Sequence, residues 1–230
     1  MPVLYVVATP IGNLEDISLR ALRLLREVKL IAAEDTRTTR RLLNAYNIKT
    51  PLTSYHEHSE RAKLNYLLNY LEKEDMALVS EAGMPGLSDP GYELIVAAIE
   101  RGISVVPIPG ASAVITALVV SGLPTDQFLY VGFLPRRKGQ RQRLLSSIVD
   151  EPRTIVAFET PHRLREALSD IEEILGDRRI SVCRELTKVH EEIFRGRVSQ
   201  ARKHFVEPRG EFSLIIEGKT RAWLKFQERS

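Results

Sequence analysis

Residues 79–91 read Val79-Ser80-Glu81-Ala82-Gly83-Met84-Pro85-Gly86-Leu87-Ser88-Asp89-Pro90-Gly91, and the reading of this stretch decides the fold. The apolar run 76–79 that leads into it predicts a buried strand, and a helical pattern resumes near Tyr92. Glycine lets a backbone approach a ligand closely and reach positive φ, while proline fixes φ and removes a donor. Simple chain reversal needs only two or three such residues. A loop this rich in both, set directly after a strand, is shaped to hold a ligand with main chain.

Outward from that loop, apolar β-type runs alternate with helical patterns. Strands are predicted at 3–8, 30–33, 76–79 and 104–108, with a shorter one near 51–54. Helices are predicted at 18–28, 36–46, 59–72, 92–101 and 111–121. Ser18 is a natural helix cap, and Leu19, Leu22, Leu25 and Val28 form an i, i+3 stripe behind it. Alternation of this kind implies parallel strands joined by crossover helices. Gly122-Leu123-Pro124-Thr125-Asp126 breaks the pattern and reads as a linker. Beyond it, strands are predicted at 128–133, 154–158, 179–183 and 212–217, and helices at 140–149 and 162–175. The segment 192–195 is expected to pair antiparallel with 212–217. The expectation is therefore an α/β protein of two α/β domains, 1–120 and 121–230, the first with a mainly parallel sheet and the second with a mixed one.

Composition narrows the functional classes. Charged residues make up 27% and hydrophobic residues 43% of the 230 positions, as in ordinary soluble proteins. The net charge of +3 arises in the final stretch 201–230, so no global nucleic-acid signal exists and any polyanion site must be a local patch. Cys183 is the single cysteine, which removes a disulfide framework and a thiolate metal cluster and reads as a small core residue. The amino terminus runs into a strand-like segment without a signal pattern, and no apolar stretch has the length of a membrane span. A cytoplasmic protein without membrane contact is expected.

Three Pro/Gly loops follow strands in the first half: Thr9-Pro10-Ile11-Gly12-Asn13, 81–91, and the segment through Pro109-Gly110-Ala111-Ser112-Ala113. In a parallel sheet all three open at the carboxyl edge, where ligands bind. The last also starts a helix, whose first N–H groups are free to meet a ligand. A dinucleotide fold is the obvious competitor, since Glu34-Asp35 closes the second strand where a ribose-binding acid would stand. Yet the first loop has the single glycine Gly12, without G-x-G-x-x-G, and no phosphate-loop motif occurs. A cofactor without phosphates fits better.

At this point a resemblance becomes specific. Thr9–Asn13, Glu34-Asp35-Thr36-Arg37, 80–91, 109–113, Val131-Gly132-Phe133-Leu134-Pro135, Glu159-Thr160-Pro161-His162-Arg163 and Arg184-Glu185-Leu186-Thr187-Lys188 occur in this order. Together they resemble the tetrapyrrole methylase superfamily, in its branch of small-subunit ribosomal RNA methyltransferases, over nearly the whole chain. The resemblance implies a homodimer that binds S-adenosylmethionine in a cleft between two α/β domains. It implies methylation of a ribose 2′-hydroxyl on a cytidine in the decoding region of 16S rRNA, with the small ribosomal subunit as the partner. It also implies cofactor contacts at Pro10, Ala82, Gly83, Met84 and Leu87, at Ser112 and Ala113, and at Phe158, Glu159 and Leu186. Glu81 and Met84 depart from the Asp and Thr that many relatives carry at these places.

Removing a proton from a ribose hydroxyl asks for a positioned base. Glu34, Asp35 and Glu81 are the leading candidates, with Asp89, Glu159 and His56 behind them. Ser88-Asp89-Pro90-Gly91 is also good turn chemistry, which explains Asp89 without catalysis. Asp35 ahead of Thr36 would equally cap the next helix, and Arg37 would either bind phosphate or pair with Glu34. His56-Glu57-His58 invites a metal reading but lacks a third ligand at helpful spacing, so no metal is expected. His56 is read instead as a substrate contact. Five cations within 136–143 precede a helix start, where the dipole disfavours positive charge. That placement makes Arg136, Arg137, Lys138 and Arg141, with Arg163 and Arg37, candidate RNA-binding residues. No aromatic is interleaved with these cations. Three rivals stay open: a small tetrapyrrole substrate on the same fold, a non-catalytic RNA-binding module, and a nucleotide-dependent oxidoreductase.

Overall fold

The computed structural model describes residues 2–56 and 61–219. The chain divides into two compact units, Met1–Ser112 and Ala113–Ser230.

In the first unit the elements run β1 (Val3–Val7), α1 (Leu19–Glu27), β2 (Leu30–Ala33), α2 (Thr36–Ala45), β3 (Leu52–Ser54), α3 (Arg61–Leu71), β4 (Met76–Val79), α4 (Tyr92–Glu100) and β5 (Ser104–Ile108). The strands pair in parallel in the order β3-β2-β4-β1-β5. Both faces of this sheet are covered, which is why β2 and β4 are apolar at every position rather than at alternate ones. On one face Val7, Ile31, Val79 and Ile108 pack with Leu22, Leu25, Leu42 and Leu43 of α1 and α2. On the other, Leu4, Met76 and Leu78 pack with Leu67, Leu71 and Leu94 of α3 and α4. The period of the side chains along each strand assigns neighbouring residues to opposite faces. As the cap pattern predicts, the Ser18 hydroxyl accepts the Ala21 N–H at 3.1 Å.

The second unit runs α5 (Ala113–Val120), β6 (Phe128–Phe133), α6 (Lys138–Ser147), β7 (Thr154–Glu159), α7 (Pro161–Leu175), β8 (Arg179–Arg184), β9 (Glu192–Arg197), α8 (Val198–His204) and β10 (Phe212–Ile216). Its sheet has the order β6-β7-β10-β8-β9 and is mixed: β6 and β7 are parallel, while β10 runs antiparallel to both β7 and β8. Two expectations change here. Segment 192–197 pairs with β8, and β10 lies between β7 and β8 instead of beside it. The helix expected to close the first half belongs to the second unit, so the division falls after Ser112 and not near residue 120. α5 packs against β10, and the Arg195 guanidinium donates to the Val120 carbonyl at 2.9 Å. Helix α8 had no counterpart in the sequence pattern. Cys183 is a free, buried thiol, as expected of a core residue.

Candidate functional site

At the carboxyl edge of the first sheet two of the three loops are joined by main-chain hydrogen bonds and the third packs close against them. Thr9 N–H donates to the Gly83 carbonyl at 2.9 Å and Gly83 N–H donates back to Thr9 at 3.0 Å, a two-bond bridge between the β1 and β4 loops. The Thr9 hydroxyl adds a bond to the Ser80 carbonyl at 3.3 Å. Gly83 has φ +81, which an L side chain adopts only with strain. The third loop approaches equally closely, since a Cβ on Gly110 would stand 2.9 Å from the Ala8 Cβ. These glycines thus serve close approach, and the edge they build presents backbone. Pro10 and Met84 are half-buried there, while Ala82 and Leu87 are exposed. Ser112 and Ala113 are half-buried where the chain enters α5.

Carboxylates line the same edge. Glu34 follows β2, and one of its oxygens accepts the Glu81 N–H at 3.2 Å. Burial raises the Glu34 pKa, with the Glu81 hydrogen bond opposing and the Glu81 charge adding to it. Asp89 is pushed up to about 7, mainly by burial and then by the charge of Glu34, against a hydrogen bond from the Ser80 hydroxyl. Glu81 itself is exposed.

Asp35 is used locally. Its carboxylate caps α2 by accepting the Arg37 N–H at 2.7 Å and pairs with the Arg37 side chain at 3.1 Å. Hydrogen bonds from Arg37 hold its pKa below the usual range, which makes it a poor proton acceptor. Arg37 therefore pairs with Asp35 rather than Glu34, although its side chain stays 88% exposed. His56 is exposed beyond β3. Glu57 and His58 lie outside the described residues, and among the described residues no group of three His, Cys, Asp or Glu is placed to hold a metal ion.

In the second unit the ends of β6, β7 and β8 form a comparable edge. Phe158 is half-buried with its ring edge-to-face against Tyr130 and Phe133. Glu159 is buried, and its Oε1 accepts the Thr160 N–H at 2.6 Å and the Arg163 guanidinium at 2.7 Å. Its Oε2 has no hydrogen-bond partner among the described residues. Burial raises the Glu159 pKa, against the Thr160 N–H and the Arg163 charge. Leu186 is buried between Glu185 at φ +50 and Thr187 at φ +66. A β-branched residue in that region is strained, and the loop is held by the Thr187 N–H to Glu191 at 2.6 Å and Lys188 to Glu185 at 3.0 Å.

The basic segment is smaller than its sequence suggests. Arg136, Arg137 and Lys138 are exposed. Arg141 is not: it is 1% exposed and bound to Asp170 of α7 at 2.6 Å. A guanidinium this deep requires a partner charge, and Asp170 supplies it. Arg163 likewise turns inward, to Glu159 and, at 3.2 Å, to the Leu134 carbonyl. Asp89 is the carboxyl whose surroundings differ most from what its sequence context shows. Its turn chemistry is visible in the sequence, and Ser80 and Glu81 share its loop, but Glu34 is brought to it only by the fold.

Comparison with known proteins gives the family and the fold. A family model described as tetrapyrrole (corrin/porphyrin) methylases matches residues 3–202. A protein named ribosomal RNA small subunit methyltransferase I from Halalkalibacterium halodurans is 53% identical over 219 residues, 94% of this chain and 75% of its own. One of the same name from Thermotoga maritima is 51% identical over 219 residues, 94% of this chain and 98% of its own. Among solved structures, a diphthine synthase superposes with a TM-score of 0.77 at 14% identity, covering 98% of this chain and 93% of that one. At that identity the likeness speaks for the fold alone.

Proposed function

The chain belongs to the tetrapyrrole methylase family, and from that premise we propose that it transfers a methyl group from S-adenosylmethionine to the ribose 2′-hydroxyl of a cytidine in the decoding region of 16S rRNA. The observation that carries the reading is identity at about half of all positions, along 94% of the chain, to small-subunit rRNA methyltransferases. The substrate is then the RNA within the small ribosomal subunit, which places the enzyme in the cytoplasm, and the active form is a homodimer. No helix of the described residues is long and apolar enough to cross a membrane.

The first edge suits this cofactor. Its three loops, 9–13, 80–91 and 109–112, contain no Lys or Arg but do contain Glu81 and Asp89. That is a poor setting for a pyrophosphate and a favourable one for a ligand with a sulfonium and an ammonium group. When bound, S-adenosylmethionine supplies the methyl already activated on sulfur. Gly110 is exposed and leaves main chain open to hold it, beside Pro10, Ala82, Met84 and Leu87, while Gly83 fixes the first two loops against each other through Thr9. On the resemblance alone, Phe158, Glu159 and Leu186 are proposed as further cofactor contacts; within its own unit Glu159 has an Oε2 without a hydrogen-bond partner among the described residues.

What is left for the chain is alignment of the acceptor and removal of its proton. A carboxylate near neutrality is the suitable base, and Asp89 meets that condition while Asp35 does not. Burial first, and then the like charges of Glu34 and Glu81, keep Asp89 basic.

The test is methyl transfer from labelled cofactor to unmodified small subunits, followed by alkaline hydrolysis. A labelled nucleotide whose 3′ phosphodiester resists alkali is the expected result, because a methylated 2′-hydroxyl cannot attack the phosphate. Cofactor binding without transfer to subunits or free rRNA would favour a small tetrapyrrole acceptor or a non-catalytic module.

A further inference from the structure

Phe133 ends β6 with half of its surface exposed. The cause lies one residue earlier. Gly132 has φ +68, and the pairing of β6 with β7 passes from Tyr130–Val156 directly to Phe133–Phe158. Two residues of β6 thus stand against one of β7, a bulge, which re-aims the side chain that follows it. The ring is supported from behind by Phe158 at 5.5 Å and 63°, and Phe158 is in turn flanked by Tyr130 at 5.4 Å.

The exit of the chain from this ring is fixed. Leu134 is 1% exposed, its N–H donates to the Phe158 carbonyl at 3.1 Å, and its carbonyl takes the Arg163 guanidinium. The next residues are Pro135 and then Arg136, Arg137 and Lys138, all three exposed. Three residues of chain span at most about 11 Å, so the first of these cations cannot lie far from the ring. An aromatic and a cationic cluster thus adjoin, which the sequence hides by placing a buried leucine and a proline between them.

We propose that Phe133 is a stacking platform for one unpaired base of the RNA substrate, with Arg136, Arg137 and Lys138 binding phosphates of the same strand. The proposal rests on the methylation reading above and specifies how the substrate strand is held. A base offers a flat π-face to an exposed ring whatever its identity, and its phosphates complement the adjoining cations. A protein partner fits less well, since a single half-exposed ring beside three adjoining cations offers little apolar area for an interface core. Arg163 and Leu134 act as positioning residues, because they fix the loop that carries both features.

The experiment measures binding of unmodified 16S rRNA at several salt concentrations for the wild type, Phe133→Ala and Phe133→Tyr, with S-adenosylmethionine affinity measured separately. Phe133→Ala is expected to weaken RNA binding roughly five- to a hundredfold. Its salt slope and cofactor affinity stay unchanged, and Phe133→Tyr binds like the wild type. Wild-type RNA affinity in Phe133→Ala overturns the platform, as does a loss of cofactor affinity that matches the loss for RNA. Failure of Phe133→Tyr alongside Phe133→Ala also overturns it, by showing a packing role. If the wild type neither binds nor methylates rRNA, the substrate reading itself fails and takes the platform with it. Normal methylation by the wild type and by Phe133→Ala sinks the platform alone.

Discussion

At Asp89 the loop holds a carboxyl against burial and like charge, and both effects favour its protonated form. If Asp89 accepts the ribose proton, the rate of methyl transfer rises with pH through about 7 and then levels, and Asp89→Asn removes that limb. A pH–rate profile under single-turnover conditions checks this, and an unchanged profile in Asp89→Asn excludes Asp89 as the base. Stability gives a second signature. The folded pKa lies above the unfolded one, so the folded state holds more protons between about pH 4 and 7, and stability falls as pH rises through that window. Asp89→Asn should therefore be more stable than the wild type at pH 8. Partial exposure screens the repulsion, leaving roughly 1 kcal/mol, or about 2–4 °C in Tm. A merely structural turn residue would instead lose stability on substitution. The sequence exposed the turn chemistry of Asp89 and the presence of Glu81 in its loop but not the approach of Glu34, which follows a different strand. Arg141 shows the reverse error. Its place in a basic run suggested RNA, while the tertiary fold points it at Asp170.

Elements fail or succeed by how they pack, and two cases test this. Gly110 sits where the β5 loop crosses Ala8, with no room for a Cβ. Gly110→Val should displace that loop and lower S-adenosylmethionine affinity at least about tenfold, since misplacement of about 1 Å at a site is enough for such losses. The milder Gly110→Ala should be rescued by Ala8→Gly, which removes the clashing atom; calorimetric titration of the three variants decides it, and no rescue would refute the steric cause. Arg141 fastens α6 to α7 through Asp170. Arg141→Met should destabilise by about 3–5 kcal/mol by leaving a buried carboxylate unpaired, and Asp170→Leu on top of it should restore much of the loss. Denaturant unfolding of the single and double variants measures both. The parallel first sheet was legible in its apolar runs because both faces are covered. The order of the second was not, since antiparallel neighbours need not be neighbours in sequence. A signal existed all the same. Phe212–Ile216 is buried at every position, as a central strand is, whereas Glu192–Arg197 carries charges suited to an edge.

Over the whole molecule the charges nearly cancel, with a net of only +3, so long-range attraction to RNA is weak. Affinity for a polyanion must then come from local cations that displace counterions, and the salt dependence reveals how many phosphates they neutralise. With Arg141 and Arg163 turned inward, the exposed cations immediately after β6 reduce to Arg136, Arg137 and Lys138. Replacing all three by Ala should lower the slope of log affinity against log salt by about 2–3, near 0.7–0.9 for each phosphate no longer neutralised. Cofactor affinity should not change, because none of the three is among the proposed cofactor contacts. Reversing Arg143 alone, on the same helix but further from the ring, is the control and should leave the slope nearly intact. Filter binding over a range of salt concentrations gives the slopes directly. If the triple variant keeps the wild-type slope, the phosphates are held elsewhere on the molecule, with Arg37 and His56 the next exposed candidates to replace. If the slope falls as expected while Phe133→Ala leaves it untouched, charge and stacking are separate contributions to one strand-binding surface.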